Sequence, residues 1–291
     1  MSAQAGYEAA ARTEARAVEA RSATWMKQLV LLAAALVVLF PLYFLVITAF
    51  KTQADYSADK FGLPSPWTLE SFDTALRGGR FFLWFGNSVI LAVGSVVLST
   101  VVSVLAAFAF ARMRFAGRGP LLSGITSLMV IPPVVLIVPQ FLMLTQLQLI
   151  STYPGAILVY AGLVTPFSVY LLTNFFKSIP HEVIESALID GASPLQVLLL
   201  IVLPLSGPAL VTLIVVNTLW VWNELLVALV LLPKEELRTL MVGITVFGSR
   251  YNNDVPVQMA GLLLSSLPMV LVYLVGQRYF IRGLVAGALK G

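Results

Sequence analysis

Six stretches of this chain run for 20 or more residues with scarcely a charge among them, at about residues 28–50, 85–111, 121–147, 156–176, 206–232 and 261–281. A hydrocarbon layer about 30 Å thick is crossed by about 20 residues of helix at 1.5 Å each, so every stretch is long enough to span it. Charged residues make up 11% of the 291 positions, against roughly a quarter in a soluble domain. So few charges cannot supply soluble helices with polar outer faces. The predicted fold is all-α, a polytopic bundle of six transmembrane helices.

The same residues exclude several chemistries. With no cysteine and one histidine, His181, the chain has no disulfide framework, thiol nucleophile or Cys/His metal site, so no catalytic residue and no metal ligand is assigned. The net charge of +4 reads as a signal of membrane topology rather than of nucleic-acid binding.

The first span, flanked by Lys27 and Lys51, exceeds the roughly 7 to 15 apolar residues of a signal peptide and is read as retained. The second repeats small residues at every fourth position, Ser95, Ser99, Ser103, Ala107 and Ala111, a stripe that lets another helix approach closely. Pro132, Pro133 and Pro139 kink or break the third span, which places it inside the bundle. Pro166 lies near the centre of the fourth, between the short polar groups of Thr165 and Ser168. Six spans put both termini on one side. Eleven Lys and Arg residues fall on that side, with Arg112, Arg114 and Arg118 in one short loop, and seven on the other. The excess assigns both termini to the cytoplasm. The expected organisation is a cytoplasmic tail at 1–27, a permease domain at 28–281 and a cytoplasmic tail at 282–291. Outer loops fall at 51–84 and 233–260, and a cytoplasmic loop at 177–205. Glu8 and Arg12 are spaced for a helical ion pair in the first tail.

The loop after span four reads as two helices joined by a turn. Pro180 suits a first helical position; Val183, Ile184, Ala187 and Leu188 share a face, and Glu182 and Glu185 complement the positive helix end. Asp190-Gly191 supplies a stop, with Gly191 free to take positive φ. Ser193-Pro194-Leu195-Gln196 forms a capping box that starts a second helix running to Pro204. Three acids, Glu182, Glu185 and Asp190, stand on the basic side of the protein, and Ser186, Ala187, Gly191 and Ala192 leave an open ridge. Two readings stand for this loop: a ridge seated in a partner's cleft, or an amphipathic helix on lipid headgroups, against which its acidity counts.

Glu185-Ser186-Ala187, Asp190-Gly191-Ala192 and the apolar run to Leu203-Pro204 resemble the Glu-Ala-Ala loop of membrane subunits of bacterial ABC importers. The likeness extends to Phe40-Pro41-Leu42-Tyr43, Phe50-Lys51-Thr52, Asn87-Ser88, Trp222-Asn223-Glu224 and the ending from Arg282 to Gly291. It is similar to the carbohydrate-uptake branch, and within it to the shorter, six-span, maltose-type permease. Ser186 departs from the usual Ala but stays small.

The resemblance implies a type I importer fold in the bacterial inner membrane and uptake of a sugar or oligosaccharide by alternating access. The implied partners are a second permease in a heterodimer, two copies of an ABC ATPase, an extracytoplasmic sugar-binding protein and membrane lipid. ATP and Mg2+ would sit on the ATPase; the chain has no G-x-x-x-x-G-K-[ST] run of its own. Glu185, Ser186, Ala187, Asp190, Gly191 and Ala192 would form the ATPase-coupling element, and the C-terminal tail would reach the same interface or lie solvated.

Span five carries the densest polarity, with Asn217, Trp220, Asn223 and Glu224 as candidates for the substrate path. Asn217, Trp220 and Glu224 are spaced i, i+3, i+7 on one face, and an intramembrane carboxylate faces a bundle interior or a watery cavity. The alternative is an aromatic belt with Glu224 in a helix or subunit contact. A gradient-driven secondary transporter is the rival function; it calls for intramembrane carboxylates and inverted half-repeats, whereas Glu224 stands alone and no half-repeat is evident.

Overall fold

A computed structural model describes the backbone of residues 2–77, 80–250 and 254–288, and the side chains of 25, 27–77, 80–245 and 254–277. Glu8, Arg12 and the tail from Arg282 onward therefore lie outside the described side chains. The elements are helical: α1 (Ser2–Ala49), α2 (Gln53–Ala58), α3 (Glu70–Leu76), α4 (Arg80–Arg112), α5 (Arg118–Ser127), α6 (Pro133–Gln146) and α7 (Tyr153–Ser178). There follow α8 (His181–Ile189), α9 (Pro194–Val197), α10 (Leu203–Leu205), α11 (Gly207–Asn223), α12 (Leu226–Leu231), α13 (Leu240–Arg250) and α14 (Val255–Ala288). Among the described residues four helices are long and apolar enough to cross a membrane, Lys27–Ala49, Arg80–Arg112, Tyr153–Ser178 and Val255–Gln277, and two bent pairs bring the number to six.

Of the two bent pairs, the break in span three is the one its prolines predict, whereas span five differs from the continuous span expected of the sequence. Span three is two helices at 104°, because Ile131 and Pro132 both take extended ψ angles, 116° and 133°, which the two consecutive prolines favour. Span five is entered at 78° from Pro194–Leu205, with Pro208 in the first turn of α11. It also ends early: α11 stops at Asn223 and Glu224 is extended at ψ 127°, so residues 226–231 form a separate helix. By contrast, Pro41, Pro139, Pro166 and Pro268 sit inside continuous helices. Span two begins at Arg80 rather than near residue 85.

The stripe on α4 packs as its spacing predicted. Ser95, Ser99, Ser103 and Ala107 are buried, and α4 lies along α7 more extensively than any other pair of described elements. Across this seam Thr165 Oγ1 donates to Ser99 Oγ at 3.0 Å, and Ser168 Oγ of α7 accepts from Asn217 Nδ2 of α11 at 2.8 Å. In lipid such bonds add to the close backbone approach that small residues permit. The first span, in contrast, is barely covered, with side chains 27–43 exposed.

The segment after α1 folds into a compact cap. Lys51 is fully buried, its Nζ donating to Asp59 O at 2.5 Å while Ser71 Oγ donates to Lys51 O at 2.9 Å. Phe50 packs between Trp67 and Phe72. The amides of Gly62 and Phe61 donate to Asp59 Oδ1 at 2.9 and 3.0 Å and, with the charge of Lys51, hold the Asp59 carboxyl below the usual carboxylate range.

Candidate functional site

The coupling-loop candidate is built as two short helices around one left-handed residue. Gly191 has φ +85°, and Gly191 N and Ala192 N donate to Leu188 O and Ala187 O at 3.1 and 3.0 Å. That pair of bonds is a Schellman stop, which consumes carbonyls that α8 would otherwise leave unpaired. The capping box is present: Gln196 N donates to Ser193 Oγ at 3.3 Å and Ser193 N to Gln196 Oε1 at 2.8 Å. Pro180 is the N-cap of α8 rather than its first residue.

Side-chain placement corrects the expected open ridge. Ile184 and Ala187 are buried in one apolar cluster with Val104, Ala107 and Phe108 of α4, Leu172 and Phe176 of α7, and Leu213 of α11. Ala187 therefore seats α8 on the bundle, and Ala192 packs against the same cluster. A larger side chain at 187 would lift the helix away. Glu185, Ser186, Asp190 and Gly191 remain exposed. Of the predicted apolar stripe, Val183 and Leu188 are also exposed, and Ile189 is 85% exposed at the tip beside Asp190. His181 Nδ1 lies 3.1 Å from Glu185 Oε1, one helical turn away.

Sequence reasoning gave Arg112 no role beyond topology. Its guanidinium Nη2 donates to Phe176 O and, at 2.5 Å, to Ile179 O, the carbonyls that lead into α8. A basic residue at the last position of an apolar helix was the available signal.

The span-five candidates do not share one helical face. Asn217 is buried and bound to Ser168; Trp220 is half-buried; Asn223 is exposed, its Nδ2 donating to Leu219 O at 2.7 Å. Glu224 lies past the helix end and turns back on α7. Its carboxylate accepts Tyr160 Oη–H at 2.8 Å, Val227 N–H at 3.0 Å and Ala228 N–H at 3.2 Å. It thus caps α12 and holds Tyr160, whose ring stands edge-on to Trp220 at 6.2 Å. Tyr160 carried no sequence signal, since its partner is 64 positions away. A cavity of about 550 Å³ lies between the broken span three, α7 and α11, with Gln140, Asn217 and Trp220 as its polar lining and otherwise apolar walls.

These contacts set an expectation for Glu224. Gln keeps an acceptor for Tyr160 and for one amide, so Glu224→Gln changes stability by less than about 1 kcal/mol, whereas Glu224→Ala strands Tyr160 Oη and the α12 amides and costs about 1–3 kcal/mol. Thermal unfolding of the purified assembly measures the difference, and equal losses in the two variants would contradict the capping role.

At the end of the bundle opposite α8, Asn87 and Ser88 form a second hub. Asn87 Nδ2 donates to Glu236 O and Arg238 O, both at 2.8 Å, and Tyr153 Oη donates to Asn87 Oδ1 at 2.6 Å. Leu240 N donates to Ser88 Oγ at 2.9 Å, and Trp84 Nε1 to Glu235 O at 3.3 Å.

Residues 99–285 match the model of the binding-protein-dependent transport system inner membrane component family. The chain belongs to this family. A putative ABC transporter permease protein of Caldicellulosiruptor sp. (strain Rt8B.4) is 42% identical over 252 residues, 86% of this chain and 91% of the relative. The arabinooligosaccharides transport system permease protein AraQ of Halalkalibacterium halodurans is 32% identical over 88% of this chain and 93% of its own. A chain from the crystal structure of a bacterial ABC transporter involved in import of the acidic polysaccharide alginate superposes with a TM-score of 0.81 at 26% identity, covering 89% of this chain and 97% of that one. The protein is thus an ABC importer permease, multi-pass and all-helical, and the fold expected from the six apolar runs is the fold of its structural neighbour.

Proposed function

We propose that this permease carries a sugar or oligosaccharide as one half of a translocation path, working by alternating access and powered by ATP hydrolysis on a separate subunit. The observation that carries the reading is the geometry of α8 to α10. A rigid helix pair is seated by Ile184 and Ala187 on the ends of three spans and presents Glu185, Ser186, Asp190, Gly191 and the exposed Ile189 outward. An apolar tip ringed by acids suits a cleft of a protein better than a layer of anionic headgroups. In this reading two copies of an ABC ATPase hold ATP and Mg2+ and receive the loop, one docking on this chain and one on a second permease. An extracytoplasmic binding protein delivers substrate to the opposite end. Both termini are cytoplasmic, in keeping with the basic loop at Arg112, Arg114 and Arg118. The permease itself performs no hydrolysis.

Sugar as the cargo is supported by the arabinooligosaccharide relative and by the chemistry at the cavity. Trp220 offers an apolar ring for C–H faces and Asn217 an amide for hydroxyls on the cavity wall, and Asn223 offers a further amide outside it. Glu224 acts there through Tyr160, which it fixes beside Trp220. Of these four path candidates, Trp220→Ala is expected to raise the KM for uptake by about tenfold with little change in assembly, the loss of roughly one aromatic stacking contact.

The experiment that tests the whole reading is uptake of a labelled arabino-oligosaccharide panel into vesicles holding the assembled importer. With ATP supplied and ion gradients collapsed by an ionophore, uptake continues. Uptake that stops with the gradient, at constant ATP, would establish a secondary transporter instead.

A further inference from the structure

Helix α4 has 33 residues with no internal proline and runs unbroken for about 50 Å. Side chains toward each end of it grip the backbone of a neighbouring segment. At one end Asn87 and Ser88 hold the carbonyls of Glu236 and Arg238 and the amide of Leu240. At the other, Arg112 holds the carbonyls of Phe176 and Ile179, the last of which lies two residues before α8 begins.

Carbonyls at a helix C-terminus have lost their intrahelical partners and sit at the negative end of the dipole. An always-charged guanidinium is a strong donor to them. The same α8 is seated by Ile184 and Ala187 in the cluster that contains Val104, Ala107 and Phe108 of α4. A polar clamp at its root and an apolar seat along its face bind α8 to α4 at two places. Among the described residues the apolar cluster that seats α8 includes no side chain of α5 or α6.

We infer that Arg112 is a positioning residue for transport coupling, locking α8 to α4 so that the coupling loop, span two and the outer segment 235–240 move as one strut. The inference rests on α8 being the ATPase-docking element. A displacement of the outer segment, where a binding protein would press, then reaches the ATPase side without being absorbed by bending. The broken spans three and five are left to supply the relative motion.

The chain has no cysteine, so spin labels can be placed at Val101→Cys on α4 and Glu182→Cys on α8, both exposed positions, in the full importer in lipid nanodiscs. The distance between them stays within about 2 Å on passing from the nucleotide-free to the vanadate-trapped state, below the shifts usual for independently moving elements. Arg112→Met, which keeps the apolar stem and removes the donors, widens the distance distribution at least about twofold, while Arg112→Lys, which keeps the charge on a stem one bond shorter, widens it less than Met does. A shift above about 4 Å between states in the chain with native Arg112 overturns the strut, and needs no variant at that position to be read. A Met variant as narrow as the parent overturns the clamp. In the same assemblies a crosslinker on Ile189→Cys reports docking by itself: without capture of the ATPase subunit the docking reading fails, whereas capture together with an unwidened Met variant defeats the inference alone.

Discussion

Gly191→Pro is expected to abolish ATP-driven uptake while the permease still inserts and assembles into the membrane. Proline holds φ near −65°, whereas Gly191 stands at +85°, and proline lacks the amide that donates to Leu188 O. The substitution therefore removes the Schellman stop and redirects the chain between α8 and α9. The local cost is about 3 kcal/mol or more, large enough to displace the exposed face of Glu185, Ser186 and Asp190 from any fixed partner groove. Alanine separates conformation from bulk. A Cβ at 191 would meet no atom within 4 Å, so Gly191→Ala pays only for positive φ, about 1–2 kcal/mol, and reduces coupling without ending it. ATP hydrolysis by the assembled importer, measured beside uptake in the same vesicles, checks both. Wild-type uptake in the proline variant would mean that the turn has no part in coupling.

The second large effect is expected at the other end of span two. Asn87→Asp keeps shape and the acceptor for Tyr153, yet replaces the amide that donates to Glu236 O and Arg238 O with an oxygen facing two carbonyl oxygens. Both carbonyls lose their donor, and a carboxylate at the buried position 87 must either bear the cost of its charge or take up a proton. A loss of about 3 kcal/mol follows, of the order of two unmade hydrogen bonds. It is read as a lower midpoint of thermal unfolding and as protease cleavage within 233–239. Asn87→Gln, which retains the donor on a longer stem, recovers part of the loss. Unchanged unfolding in the Asp variant would show that the hub does not hold the outer segment.

How much of this was legible beforehand differs by element. The small-residue stripe from Ser95 to Ala107 foretold a close helix neighbour, because spacing by four places side chains on one face whatever lies opposite. The cap of α8 and the box at Ser193 were readable for the same local reason: a glycine stop and a Ser-Pro-x-Gln start act within five residues. Glu224 illustrates the limit. Its spacing from Asn217 and Trp220 promised a shared face, but the carboxylate accepts from Tyr160 and from the amides of α12, and the helix ends where that bonding begins. Ala187 reads as part of an open ridge in sequence, yet it is the contact that seats α8.

By itself the sequence determined the solvent, the number of apolar runs and the turns of the coupling loop, since each depends on hydrophobic length or on bonds between near neighbours in the chain. Tertiary structure alone decided that Arg112 and Asn87 grip backbone toward opposite ends of one helix and that Glu224 answers to Tyr160. Those outcomes rest on groups about 64 to 151 positions apart, and hydrogen bonds between them leave no period in the sequence from which they could be read.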